Sequence, residues 1–186
     1  HLSLRRQRQM CIRDSLFTGQ GSQRSKMGYE LYESHPPFKA ILDDIAAALD
    51  LPVYLHERDA FDEQVALLTE YMPRIKGGIA HCFTGNAEQV QHYLALGLYI
   101  GITGWVCDEK RGEALREAVK SIPLNRLILE TDAPYLFPKT LRPRKRNNEP
   151  AFLPHIAKQL GEYLQVETDK LRISSYANSC ELFSLS

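Results

Sequence analysis

The chain has 186 residues, 44% hydrophobic and 25% charged, and its 23 basic and 23 acidic side chains give a formal net charge of +0. That balance describes a globular protein able to bury a core, and it excludes a generally basic coat, so any nucleic-acid contact must be local. No apolar run approaches the roughly 18 residues of a membrane span, and no segment has the charged-then-apolar layout of a secretory signal. The four cysteines, Cys11, Cys82, Cys107 and Cys180, form neither a CxxC pair nor a zinc-ribbon spacing. A disulfide framework is thereby disfavoured, and a reducing, cytoplasmic compartment fits.

Residues 1–15 are Arg-rich, and on composition alone they read as a basic tail or a transit peptide. Their letters point elsewhere. Arg5 to Ser15, Arg-Arg-Gln-Arg-Gln-Met-Cys-Ile-Arg-Asp-Ser, resemble a translation of the transposase adapter used to prepare DNA sequencing libraries. That resemblance is the stronger reading, and it implies a disordered leader without function. Residues 16–50 carry Phe17-Thr18-Gly19-Gln20-Gly21-Ser22-Gln23, Met27-Gly28, Leu31-Tyr32, Pro37-Phe38 and Leu42-Asp43. These resemble the amino-terminal end of malonyl/acyl-CoA:acyl-carrier-protein transacylases. The nucleophile elbow of that family, Gly-His-Ser-x-Gly, occurs nowhere in the chain, and without its serine no acyl-enzyme forms. The plainer alternative makes Gly19 and Gly21 a flexible loop before an amphipathic helix from Pro36 to Leu49.

From Leu51 onward, short apolar runs alternate with helical patterns. Pro52 to Leu55, Gly78 to Ala80, Leu98 to Ile102 and Leu127 to Leu129 lack strict alternation, as buried parallel strands do. Asn86 is placed to cap a helix over 87–96, closed by Gly97 in the left-handed conformation. Asp108 is expected to cap a helix running to about Ser121, with Pro123 beyond its end. Helical spacing recurs over 154–163 and 168–183, the latter capped by Thr168. A whole β/α barrel takes about 250 residues, so this length predicts a partial one.

Three strand ends carry metal-capable side chains: Leu55-His56-Glu57-Arg58-Asp59, His81-Cys82-Phe83-Thr84-Gly85 and Glu130-Thr131-Asp132-Ala133-Pro134. At the C-terminal ends of parallel strands, neighbouring side chains aim at one point, which is where a β/α barrel builds its site. Singly, each histidine reads as a hydrogen-bonded structural residue and Asp132 as a helix cap. Together, His56, His81 and Asp132 read as ligands, with Asp132 able instead to take the proton of a metal-bound water. Neutral imidazole with carboxylate suits Zn²⁺, Mn²⁺ or a mixed metal site, and a carboxylate-rich shell shifts the preference toward Mg²⁺ and Mn²⁺. Glu130, two positions before Asp132, is expected on the same face, holding His56 or Arg58, or forming a buried ion pair. The Arg58 guanidinium suits phosphate, or a salt bridge to Asp59 or Asp62. Lys139, Arg142, Arg144, Lys145 and Arg146 form a basic loop beyond Asp132, either a solvated face or an approach for a nucleic-acid backbone. Trp105 is a candidate for stacking a base, whereas Phe83 reads as core.

These segments, together with Tyr99-Ile100-Gly101-Ile102-Thr103-Gly104-Trp105 and the Asn148-Glu149-Pro150…His155 stretch, closely resemble the TatD family of metal-dependent deoxyribonucleases over about 52–183. The resemblance implies an α/β fold, a partial TIM-type (β/α) barrel of the metal-dependent hydrolase superfamily lacking its N-terminal strands. It implies a nuclease that hydrolyses phosphodiester bonds of single-stranded DNA or RNA from the 3′ end, with no obligate protein partner evident. The matching positions are His56, His81 and Asp132 for metal, Asp132 for catalysis, and Arg58, Arg142, Arg144, Arg146 and His155 for substrate, with Glu130 behind them. The rival reading is another metallohydrolase of the same superfamily, acting on an amide or lactone. TatD proteins also begin with a strand ending in Asp-x-His-x-His and carry a third-strand glutamate. No His-x-His occurs here, so the expectation is little or no activity from this chain alone.

Overall fold

The computed structural model describes residues 51–185. The readings of residues 1–50 as leader, transacylase-like fragment and helix therefore lie outside the described residues. Four strands, β1 (Val53–His56), β2 (Gly78–His81), β3 (Tyr99–Ile102) and β4 (Leu127–Leu129), pair in sequence order, all in parallel. Around them lie α1 (Phe61–Tyr71), α2 (Ala87–Ala95), α3 (Glu113–Ala118), α4 (Leu153–Leu164) and α5 (Thr168–Phe183). This is the alternating β/α layout of part of a TIM-type barrel.

Successive strand residues point to opposite faces of the sheet, and the two faces do different work. Ala80, Ile100, Ile102, Leu127 and Leu129 face the helices in the larger core, meeting Val90 and Tyr93 of α2, Leu115 of α3, and Ile156 and Leu160 of α4. Ile79, Tyr99 and Ile128 occupy the other face, where Leu182 of α5 covers them. The pairing sets His56 beside His81, and Ile79 beside Tyr99. With a period of two, His56, His81, Gly101 and Glu130 then share the second face at the C-terminal edge of the sheet.

Several helix signals act as expected. Asn86 accepts from the Gln89 amide while the Gln89 side chain reaches back to the Asn86 amide, a reciprocal cap for α2. Gly97 follows at φ +78°, where a side chain would be strained. Two expected caps differ. The Asp108 carboxylate accepts from the amides of Lys110 and Arg111, closing a turn ahead of α3, which starts only after Gly112. Thr168 is the first helical residue of α5, and Glu167 occupies the cap position without a side-chain bond. Helix α1 had no counterpart among the sequence expectations. Its signal is Phe61, Val65 and Leu68 at helical spacing.

Strand β4 lies at the end of the sheet order, and α5 satisfies the polar groups along its outer edge. Ser175 accepts from the Leu129 amide at 2.8 Å, and the Asn178 amide donates to the Leu124 and Leu127 carbonyls, each at 2.8 Å. Both side chains are buried, so these bonds replace the water or neighbouring strand that an edge otherwise requires. Asn178→Ala is expected to destabilise the fold by about 1–3 kcal/mol, because it strands two carbonyls away from solvent. Urea unfolding monitored by circular dichroism measures this, and an unchanged midpoint would contradict the edge-capping role.

Candidate functional site

The C-terminal edge of the sheet brings its chemistry together on His81. The Nδ1 atom of His81 lies 3.1 Å from both carboxylate oxygens of Glu130 and 2.7 Å from the Tyr54 hydroxyl. Its Nε2 atom faces Asp132 Oδ1 at 3.4 Å. Glu130 also accepts from the Cys82 amide at 2.9 Å and from the Tyr54 hydroxyl. With an acidic group on either side, burial is outweighed by hydrogen bonds to Asp132 and Glu130 and by their charges, and the imidazole pKa is pushed up to about 9. The His56 ring centroid lies 6.1 Å from that of His81. Burial and the neighbouring His81 charge lower the pKa of His56, so it is the neutral member of the pair at pH 7.

Glu130 reaches His81 from β4 across the whole width of β3. The intervening residue is Gly101, and a methyl group there would lie 2.0 Å from Glu130 Oε2. The absent side chain is therefore the passage through which the carboxylate passes. The sequence offers Glu130 either His56 or Arg58 to hold, or a buried ion pair, and the structure shows it ion-paired, with a different partner. It holds His81 instead, because Gly101 opens the route to β2 while β1 lies one strand further off. Cys82 and Asp132 sit at φ 48° and 56°, left-handed turns just past the ends of β2 and β4. The first turns the Cys82 amide toward Glu130.

The donor atoms of His81, Cys82 and Asp132 all lie within 4.8 Å of one another, which makes them a metal-capable set among the described residues. Cys82 was not among the expected ligands; its signal was adjacency to His81. Burial pushes its thiol up to about 12, with the charges of Asp132 and Glu130 adding to the effect and a bond to Thr103 opposing it. A thiol held neutral is a weak ligand. The remaining imidazole and carboxylate donors fit a divalent cation. His56 borders the set rather than completing it.

The expected substrate residues divide in three ways. Arg58, exposed just past β1, is near enough for its charge to disfavour protonation of His56. Arg146 lines a cleft with Asp132, Tyr135 and Leu136, and Arg144 lines a second cleft with Trp105. Arg142 instead donates to the Lys139 and Leu141 carbonyls of its own loop, and His155 bonds the Thr140 hydroxyl at 2.8 Å. Both thus shape the basic loop. Asn148 clamps it: buried, it donates to the carbonyls of Thr131 and Leu136, while its own amide donates to Pro134. Phe83 is core, packed edge-on against Tyr93.

Residues 27–184 match the family model described as TatD related DNase. The match begins at residue 27, inside the stretch whose letters resemble a transacylase, and neither that resemblance nor the adapter-like leader draws support from the comparisons. The 3′-5′ ssDNA/RNA exonuclease TatD of Klebsiella pneumoniae is 52% identical over 143 residues, covering 76% of this chain and 54% of the relative. Its namesake from Erwinia billingiae is 51% identical over 144 residues, covering 76% of this chain and 55% of the relative. The chain thus spans about half the length of the curated relatives it matches. Among solved structures, YJJV, a TatD homolog of Escherichia coli, superposes with a TM-score of 0.70 at 27% identity, covering 83% of this chain and 58% of that one. A TatD family hydrolase from Entamoeba histolytica gives 0.71 at 25% identity, covering 90% and 60%.

Gly101→Ala is expected to expel Glu130 from its position beside His81. The amide of Cys82 would then lose its carboxylate acceptor, which moves its proton resonance upfield, with a stability cost of about 1–3 kcal/mol. An unperturbed Cys82 resonance in the variant would show that Glu130 has another path.

Proposed function

Because the chain belongs to the TatD-related DNase family, we propose that its His81–Asp132 centre serves a divalent-metal-dependent nuclease trimming single-stranded DNA or RNA from the 3′ end. One observation carries the reading: Glu130 fixes Nδ1 of His81 and thereby leaves Nε2 facing the Asp132 carboxylate. A carboxylate behind a histidine, with the far nitrogen turned to a second carboxylate, is the arrangement that orients imidazole toward a metal. The names of the relatives, exonucleases on single-stranded DNA and RNA, support the substrate class.

On this reading His81 and Asp132 hold the metal, and His56, whose ring centroid lies 6.1 Å from that of His81, joins them once the ion is bound, as the family resemblance implies. Mg²⁺ or Mn²⁺ is favoured by the Asp132 carboxylate together with the phosphate oxygens of such a substrate, with Zn²⁺ the alternative that the imidazoles also suit. When bound, the ion would act as a Lewis acid toward the phosphoryl group. Asp132 accepts the proton of the attacking water. Arg58 and the basic loop, through Arg144 and Arg146, draw the phosphate backbone toward the strand ends. Arg142 and His155 act on the substrate indirectly, by shaping that loop. Glu130 keeps the His81 ring from rotating. The free thiols of Cys82, Cys107 and Cys180 suit a cytoplasmic protein.

The proposal extends to the organisation of the chain. Residues 51–186 are the nuclease part, and residues 16–50 and 1–15 are foreign to it, on the strength of their transacylase-like and adapter-like letters. The family resemblance calls for further ligands on an Asp-x-His-x-His strand, a motif the 186 residues do not contain.

The test joins the amino-terminal half of the Klebsiella pneumoniae relative to Leu51 onward and follows nucleotide release from a labelled single strand with Mn²⁺. The expected result is 3′-end cleavage that EDTA abolishes and that Asp132→Ala lowers roughly a hundredfold or more. Cleavage indifferent to EDTA or to Asp132→Ala would overturn the nuclease reading. Robust activity from the 186 residues, lost on deleting residues 1–50, would overturn the proposed organisation.

A further inference from the structure

A second cleft, of about 330 Å³, opens beside the metal-capable centre and is lined by Trp105, Arg111, Phe137, Lys139 and Arg144 around Asp108. We propose that it is a nucleotide subsite: it takes one base and its phosphate from single-stranded nucleic acid leading away from the scissile position. The inference rests on the nuclease reading above and gives the strand a path.

Three observations carry it. The first is continuity. The cleft bordering Asp132 and the cleft at Trp105 adjoin at Leu136, which lines both, so a strand with its end at Asp132 needs to pass only that residue to reach the second. Gly104 lets the Leu136 backbone pack this close to the Trp105 segment, because a methyl there would lie 2.2 Å from the Leu136 carbonyl oxygen.

The second is charge. Asp108 is 3% exposed, and its carboxylate takes both the Arg111 guanidinium at 2.9 Å and the Lys139 ammonium at 2.6 Å. Burial raises its pKa, but the two cations and the backbone amides of Arg111 and Lys110 hold it well below the usual carboxylate range. Two cations on one anion leave a positive surplus, and Arg144 adds to it in the same cleft. Their partner anion also fixes where they stand, so a phosphate meets donors already placed.

The third is the flat surface. The Arg111 guanidinium lies 4.4 Å above the Trp105 ring. Stacked guanidinium and indole form a platform of the kind on which unpaired bases rest. Cations beside an aromatic platform are what sequence-tolerant binding of a single strand requires. An anion pocket without that role has no need of the indole.

The chain contains one tryptophan beside nine tyrosines, so fluorescence excited selectively at the indole reports on this cleft. Titrating the 186-residue chain with a short oligothymidylate in EDTA should give saturable quenching that weakens with salt by a log–log slope of about −0.7 per phosphate contact. Arg111→Ala should weaken binding about tenfold through loss of the platform. Arg144→Ala, at an exposed position, should weaken it and reduce the salt slope by about one contact. If the quenching holds while the joined enzyme cleaves without metal, the nuclease reading fails and the subsite stands. Equal affinity for an abasic oligomer or for inorganic phosphate would reduce the cleft to a simple anion pocket and overturn the proposal. Absence of quenching by the oligothymidylate would overturn it outright.

Discussion

The site depends on one crossing: the Glu130 carboxylate passes over Gly101 to reach His81. Parallel pairing places His81 and Gly101 at neighbouring positions on one face, and Glu130 follows the last residue of β4 on that same face. A side chain at position 101 would separate the carboxylate from the imidazole; glycine lets them meet. Once they meet, the His81 ring has a fixed orientation, the Cys82 amide has an acceptor, and Nε2 turns to Asp132. The energetics are those of a buried charge network, in which each member is costly alone and tolerable only with its partners. That explains why an acidic side chain, only 8% exposed, persists at the end of an apolar strand.

A second constraint shapes what surrounds this centre. The segment after β4 carries the basic residues, and Asn148 ties its far end back to Thr131, Pro134 and Leu136. The bond between Thr140 and His155 anchors its middle to α4. A loop held at both ends and in the middle keeps its cations on one side of the sheet edge. Diffuse basicity is unnecessary, which fits a chain whose overall charge balances.

Much of this was legible in the letters. The four strands fall within a residue or two of their expected positions, since short unbroken apolar runs at even spacing leave little choice for a parallel sheet. His81 and Asp132 sit together as their strand-end positions implied. Other features were hidden for physical reasons. Helix α1 carries Phe61, Val65 and Leu68 at helical spacing but has no side-chain cap at its start, so the letters do not mark where it begins. Asp108 followed the cap rule as far as accepting two amides, but Gly112 set the start of α3. The partner of Glu130 could not be read, because it depends on a missing side chain on a different strand. The same is true of the Asp108 cluster, whose Lys139 lies 31 residues away in sequence.

The account's central claim is that Glu130 and Asp132 grip opposite nitrogens of His81. The most direct test is an NMR titration of the imidazole nitrogens in metal-free protein. With partners on both sides the folded pKa lies above the ordinary 6.5, at about 9. The network's stabilisation is then complete below the unfolded value and fades as pH rises through the folded one. His81 should remain doubly protonated at pH 7.5 and titrate near 9, with His56 losing its proton at lower pH. A His81 that loses its proton near 6.5, as a solvent-exposed imidazole does, would contradict the grip and the site built on it.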